Sequence, residues 1–329
     1  MNGIRESVLD CIGDTPLVRL RRLFSAAGTE VVAKLETLNP GGSIKDRPAR
    51  HIVECGLRDG TIHRGTRLVE STSGNLGVAL ATVSRVHGLR FTAVVDPYVT
   101  PASLTIMRLL GAGIETVTEA AAPGGFPQSR ANRVRDLLRV DPTAVWVEQY
   151  ACARNLSTHF HTTGDELIEA LDGRLDLLAV PIGSGATLMG TARRLRMTLP
   201  HLTVVGVDMV GSTLFGGPAG ERTLPGAGPC LPSALLEPAA IDRVVYVTEA
   251  EAVAGCRRLL TSEGILAGPS SGSVIAAISA ILPSLPRPVR IATVLPDRGE
   301  RYLHEIFGGA PPSVATPVPH ADAVQRGGR

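Results

Sequence analysis

The chain has 329 residues, 44 % of them apolar and 19 % charged, which suits a large core or two ordinary domains and excludes wholesale disorder. Its 33 basic and 31 acidic residues leave a net charge of +2, without the electrostatic footprint of a nucleic-acid or membrane binder. No apolar run approaches a bilayer span, and neither a signal-peptide layout nor a C-x-x-C pair is present among five scattered cysteines. A cytoplasmic protein with no disulfide framework and no metal site is therefore expected.

Taken in chain order, short Val- and Ile-rich segments predict strands at 31–35, 66–70, 90–95, 114–117, 145–147, 176–182, 203–208, 244–247 and 290–295. Between them, apolar residues at three- and four-residue spacing predict helices, clearest at 102–110, 128–138 and 249–260. This alternation predicts an α/β fold of mainly parallel sheets flanked by helices. The stretch 211–236 is dense in Gly and Pro and reads as a long ordered loop. From about residue 310 the composition reads as a tail.

Of the 33 basic residues only Lys34 and Lys45 are lysine. A surviving lysine suggests work that a guanidinium cannot do, such as acting as an amine nucleophile or base. Lys34 reads as a chance survivor. Lys45 stands in Asn39-Pro40-Gly41-Gly42-Ser43-Ile44-Lys45-Asp46-Arg47, where a Pro-Gly-Gly turn leads into a helix starting between residues 43 and 46. The helix dipole there disfavours the ammonium form and leaves more neutral amine for Schiff-base chemistry. A surface loop with a solvated lysine is the other reading.

Three more motifs sit at starts of predicted helices. In Glu70-Ser71-Thr72-Ser73-Gly74-Asn75-Leu76-Gly77, three hydroxyls, an amide and two glycines exceed what an N-cap requires and suit a carboxylate. Gly183-Ser184-Gly185-Ala186-Thr187 exposes successive N–H groups that suit a phosphate, but lacks P-loop and dinucleotide spacing. In Gly268-Pro269-Ser270-Ser271-Gly272, a serine either caps its helix or meets a heteroaromatic nitrogen. A phosphate cup, a carboxylate site, a special lysine and a hydroxyl for a ring nitrogen together describe a pyridoxal 5'-phosphate enzyme acting on an amino acid.

From Asp14-Thr15-Pro16-Leu17 to Gly299-Glu300-Arg301-Tyr302-Leu303 the chain resembles the cysteine synthase family, the fold type II pyridoxal phosphate enzymes. The resemblance implies a tryptophan synthase β-like fold with the cofactor between two domains. Residues 1–42 would join 152–310 as the larger domain, 43–151 would form a smaller mobile one, and 311–329 a flexible tail. It implies that Lys45 carries the cofactor, that Asn75 contacts its phenolic oxygen, that residues 183–187 hold its phosphate and that Ser270 meets its pyridine nitrogen. Ser71, Thr72, Ser73 and Gln149 would hold the substrate carboxylate, and the enzyme would be a homodimer. Ser184 and Ala186 depart from the common G-T-G-G-T, although backbone donors survive both changes.

Generic members read S-G-N-T-G and end near P-S-S-G-E-R-Y. Here the corresponding segments are Ser73-Gly74-Asn75-Leu76-Gly77 and Leu295-Pro296-Asp297-Arg298-Gly299-Glu300-Arg301-Tyr302. In these the chain is similar to the N-(2-amino-2-carboxyethyl)-L-glutamate synthase branch, which makes a precursor of 2,3-diaminopropionate for siderophores and peptide antibiotics. That likeness implies O-phospho-L-serine and L-glutamate as substrates, with phosphate eliminated through an aminoacrylate and the glutamate amine added at Cβ. A cysteine synthase using sulfide is the alternative. A non-catalytic relative would be expected to lose Lys45 or the carboxylate loop, and both are intact.

Two anionic substrates call for cations and hydroxyls. The candidates are Arg130, placed after Gly124-Gly125 near a predicted helix start, Tyr150 beside Gln149, and more distantly Arg298. His159 and His161 form a lone H-x-H that reads as structural, and Glu166 reads as a helix-face charge.

Overall fold

The structure, a computed structural model, describes residues 3–72, 74–220, 222–224, 228 and 231–308. Ser73 and the expected tail at 311–329 lie outside the described residues. In chain order the strands and α-helices begin with β1 (Leu17–Arg19), β2 (Thr29–Leu35), α1 (Asp46–Asp59), β3 (Arg67–Ser71), α2 (Asn75–His87) and β4 (Arg90–Val95). They continue with α3 (Pro101–Leu109), β5 (Gly113–Thr116), α4 (Gly125–Val140), β6 (Val145–Trp146), α5 (Ala153–His159) and α6 (Asp165–Leu171). The last are β7 (Leu177–Pro181), α7 (Ala186–Arg196), β8 (Thr203–Met209), β9 (Arg243–Val247), α8 (Glu249–Arg258), α9 (Pro269–Ile281) and β10 (Val289–Leu295).

The strands form two sheets. One has the order β1-β2-β10-β7-β8-β9, parallel throughout except for the β1–β2 pair; the other, β5-β4-β3-β6, is wholly parallel. Parallel strands need crossovers, and the crossover helices bury both faces of each sheet. Successive strand residues therefore serve opposite cores. Ala33 and Ala179 pack with Val274, Ile275 and Ile278 of α9, whereas Val32 and Leu178 pack with Leu188, Met189 and Leu195 of α7. In the smaller sheet Leu68 and Ala93 face α1 and α2, and Val69 and Val94 face Val134 and Leu137 of α4.

The expected mainly parallel α/β fold is what the chain adopts, and the strand at 90–95 matches residue for residue. Most other ends differ by one or two residues. The three-residue β1 is an addition; it is held by antiparallel pairing to β2 and is too short to show a period. One helix differs in a way that touches the site: α4 starts at Gly125 instead of 128. Gly124 in the left-handed region (φ 104°) opens α4, and Pro127 fits its first turn, so the helix gains length at its N-terminus. Among the described residues of 211–236 there is neither helix nor strand, and no described helix is long and apolar enough to cross a membrane.

Candidate active site

β3, β7 and β10 end at one place. Thr72 and Gly74 after β3, Pro181 and Gly183 around the end of β7, and Val294 and Pro296 around the end of β10 all line a single cleft. A crevice outside the carboxyl ends of parallel strands is where α/β sheets hold ligands, because helix N-termini and loop N–H groups converge there. Ile44 N–H donates to Pro296 O (2.7 Å) and Arg298 N–H to Gly42 O (3.1 Å), so the lysine loop and the loop after β10 are clipped together across it. Of the residues singled out from the sequence, Lys45, Thr72, Asn75, Arg130, Gln149, Tyr150, Gly183, Ser184, Gly185, Thr187 and Ser270 line this cleft.

Lys45 is the N-cap of α1, with its backbone N–H donating to Ser43 Oγ (3.3 Å). Burial lowers the pKa of its amine, and the nearby carboxylate of Asp297 opposes that shift. Beside Lys45, Asp46 accepts from Gly41 N–H at 2.5 Å, yet burial pushes its carboxyl up to about 6.

The 183–187 loop joins β7 to α7. Gly185 (φ 82°) is the N-cap, and a Cβ there would also press on Leu236, so the turn needs glycine. Ala186 is buried as the first residue of α7 and does not line the cleft. Ser233 Oγ lies 2.5 Å from Ser184 O and 3.0 Å from Tyr150 O, tying this loop to the segment that carries Tyr150. Behind the loop, His159 is buried, with Nδ1 3.0 Å from Thr163 Oγ1 and Nε2 3.3 Å from Thr187 Oγ1. Burial, with Lys45 and Arg47 nearby, holds its imidazole well below the usual range, hence neutral. His159 thus props a loop residue from behind. His161 packs edge-on against Phe160 and lines a different cavity.

At the carboxylate loop Thr72 Oγ1 accepts from the N–H groups of Gly74 (3.1 Å) and Gly77 (3.0 Å), shaping the start of α2. Ser71 is buried at the end of β3 and does not line the cleft. Its carbonyl accepts from Gln149 Nε2 (3.2 Å) and its hydroxyl from Arg130 Nε (3.3 Å). Behind Gln149 lies the buried Glu70, whose carboxyl burial raises to about 8. Arg130 falls in the second turn of α4 and not at its start. It is 4 % exposed and paired with Asp96, a partner with no signal in the local sequence. Arg298 is not part of the cleft wall: its Nε donates to Thr37 O at 2.6 Å.

Two expectations are overturned. Lys34 is no chance survivor; it is 1 % exposed, donates to Thr15 O (2.8 Å) and lies 2.5 Å from Glu166 Oε2. Glu166 is no solvated helix-face charge, because Arg47 holds it as well, and Arg47 also meets Glu36. The network joins α1, β2 and α6. Burial alone would raise the Glu166 carboxyl, but Arg47 and Lys34 hold it down at about 2. Sequence reasoning missed it because its members are up to 132 residues apart. It also gave no role to Asp297, Arg301 or Tyr302, although all three stand in the segment that sets this chain apart from generic relatives.

The donor set fits pyridoxal phosphate. A desolvated amine, a loop of N–H groups opening α7, a neutral hydroxyl at the second position of α9 and the Asn75 amide surround one cleft, and no described carboxylate lines it. Among the described residues no group of three or more His, Cys, Asp or Glu side chains is placed to hold a metal ion.

The comparisons with known proteins agree. The N-(2-amino-2-carboxyethyl)-L-glutamate synthase of Ralstonia nicotianae is 53 % identical over 304 residues, which cover 92 % of this chain and 90 % of that one. The enzyme of the same name from Cupriavidus metallidurans is 49 % identical over 308 residues, covering 93 % and 90 %. Among solved structures, the O-acetylserine dependent cystathionine beta-synthase from Helicobacter pylori superposes with a TM-score of 0.87 at 31 % identity, covering 93 % of this chain and 99 % of that one. An O-ureido-L-serine synthase gives 0.86 at 33 %, covering 94 % and 96 %. A family model described as "Pyridoxal-phosphate dependent enzyme" matches residues 8–297, and the chain belongs to that family.

Proposed function

We propose that this enzyme replaces the phosphate at Cβ of O-phospho-L-serine with the amine of L-glutamate, giving N-(2-amino-2-carboxyethyl)-L-glutamate. The observation that carries the reading is the convergence of Lys45, the 183–187 loop, Ser270, Thr72 and Gln149 on one cleft whose wall also holds a guanidinium, Arg130, and a phenol, Tyr150. The names of the two relatives at about half identity support the same choice.

Bound pyridoxal phosphate supplies an electron sink for the pair left at the substrate Cα. Lys45 would hold the cofactor, and its amine, set beside the substrate Cα, would take the Cα proton and later return it. The N–H groups of 183–187 and the Thr187 hydroxyl hold the cofactor phosphate, and Asn75 its phenolic oxygen. Ser270 meets the ring nitrogen as a neutral partner and leaves it largely unprotonated, which favours elimination over transamination. Thr72, Ser73 and Gln149 orient the substrate carboxylate, so that the Cα–H faces Lys45, while Ser71, expected to share that role, instead braces Gln149 and Arg130 from behind the cleft wall. Arg130 and Tyr150 meet the leaving phosphate or the glutamate carboxylates. Phosphate departs from Cβ, the glutamate nitrogen bonds there, and that nitrogen loses its proton.

In the same proposal residues 43–151 move as the smaller domain against 1–42 with 152–310, closing on substrate and excluding water. The working unit is a cytoplasmic homodimer, and the product feeds siderophore or peptide-antibiotic synthesis. The test is a competition: loaded enzyme and O-phospho-L-serine are incubated with L-glutamate and sulfide together, and the products are weighed by mass spectrometry. The glutamate adduct is expected; cysteine alone would move the protein to the sulfhydrylases.

A further inference from the structure

Asp297 lies two residues beyond the end of β10, after Pro296, and none of the roles assigned above uses it. It is 2 % exposed. Its Oδ2 accepts two hydrogen bonds, from Asn75 Nδ2 at 2.7 Å and from the Tyr302 hydroxyl at 2.6 Å. Its Oδ1 is packed against Gly268 and has no hydrogen-bond partner among the described residues. Four elements meet around it: Lys45 at the start of α1, Asn75 at the start of α2, Gly268 before α9, and Tyr302 in the 3-10 turn Gly299–Tyr302.

The two ends of an amide have the same shape and opposite chemistry. Arg301 donates to Asn75 Oδ1, and Asp297 accepts from Nδ2, so only one orientation of this amide is compatible with its neighbours. Reversal would set carbonyl oxygen against carboxylate and N–H against guanidinium. Asn75, Tyr302 and Lys45 all line the cleft, so what Asp297 holds is its wall. The charged and titratable groups facing the carboxylate are Lys45, Arg301, Tyr302 and, from α8, the thiol of Cys256. Lys45 and Arg301 are the cations among them.

We propose that Asp297 is a positioning residue for the cofactor, fixing the Asn75 amide and the Tyr302 hydroxyl beside Lys45 and supplying the counter-charge for the Lys45 nitrogen. The proposal rests on the reading of Lys45 as the residue that holds the cofactor. Generic members of the family carry serine at this place in P-S-S-G-E-R-Y. A serine hydroxyl can take a hydrogen bond but brings no charge.

Two variants of the full chain test this. Asp297→Asn keeps the shape and one acceptor and removes the charge; Asp297→Ser installs the residue that generic relatives have. Each is loaded with pyridoxal phosphate and compared with wild type, without substrate, in the pH titration of the visible band and in the dissociation constant of the cofactor. Melting of the cofactor-free forms is followed alongside. Both variants are expected to keep the band, with its pH midpoint lowered by about one unit because the charge favouring a protonated Lys45 nitrogen is gone. The dissociation constant is expected to rise about tenfold as the Asn75 amide loses its fixed orientation. Midpoints and dissociation constants within about twofold of wild type would overturn the proposal. So would variants that fail to fold, or that melt far lower yet titrate as wild type, since either makes Asp297 a packing residue only. Lys45→Ala separates the two levels: a visible band surviving there sinks the Lys45 reading itself, whereas a band lost there and shifted in Asp297→Asn supports both.

Discussion

Arg130 reaches the cleft wall with Asp96 against one end of its guanidinium and Ser71 Oγ at its Nε. A guanidinium offers five N–H donors in a planar fork, so pairing with one carboxylate aims it without exhausting it. Burial in the cleft wall strengthens what the other donors do. Arg130→Ala is expected to lower kcat/KM for O-phospho-L-serine by about a hundredfold and for O-acetylserine only severalfold, since only the former carries a dianion to the site. Steady-state kinetics on both substrates measures this. An equal loss on the two would reduce Arg130 to a brace for Ser71 and Asp96. Arg130 was legible as a candidate because cations are needed there. Its pairing was not, since Asp96 is 34 residues away and only the packing of α4 on the smaller sheet joins them.

Helices α8 and α9 cross with their backbones in contact, and this crossing decides where Ser270 stands. A Cβ on Gly272 would overlap the carbonyl oxygen of Ala252, and one on Gly255 would overlap that of Gly272. The two backbones touch, with no room for a methyl group and no flexible side chain to yield. Gly272→Ala is therefore expected to cost about 1–3 kcal/mol by overpacking, outweighing the gain from alanine's better helix propensity. Because Ser270 lies in the first turn of the displaced helix, the variant is also expected to bind pyridoxal phosphate more weakly. Thermal melts with and without cofactor check both effects; a wild-type melt would show that the helices can separate without cost. The helix itself was readable from Gly268-Pro269 and the apolar run after it, whereas its distance from α8 was not.

Across the whole molecule, the Lys34–Glu166–Arg47–Glu36 network ties α1 to elements of the larger sheet. Its effect on stability has a definite sign. Glu166 has its folded pKa depressed to about 2, so its contribution is present above the unfolded value near 4.5 and is lost as pH falls toward 2. Two and a half units correspond to about 3 kcal/mol. Glu166→Gln is expected to cost about 3–5 kcal/mol at pH 7, because Arg47 and Lys34 are left buried without their shared carboxylate. The difference from wild type should shrink as pH drops from about 4.5 toward 2. Denaturant melts at pH 7 and pH 3 measure this; an equal deficit at both values would show that the charge of Glu166 is not what stabilises. A short run of sequence around Glu166 looks like any exposed acidic helix turn. It takes the folded chain to set two cations against it.

What the sequence alone determined is whatever depends on neighbours in the chain. Alternating strand and helix periods specified the parallel α/β architecture, and glycine- and hydroxyl-rich turns at strand-to-helix junctions marked where N–H groups would point at a ligand. Lys45 stood out because arginine had replaced nearly every other lysine. Tertiary structure decided whatever depends on residues brought from afar. It gathered four junctions into one cleft, paired Arg130 with Asp96, buried Lys34 against Glu166, and set Asp297 behind Asn75, 222 residues away in the chain. A local pattern records backbone conformation and which face is apolar. The partner of a buried charge is recorded only by the packing that excludes water from both.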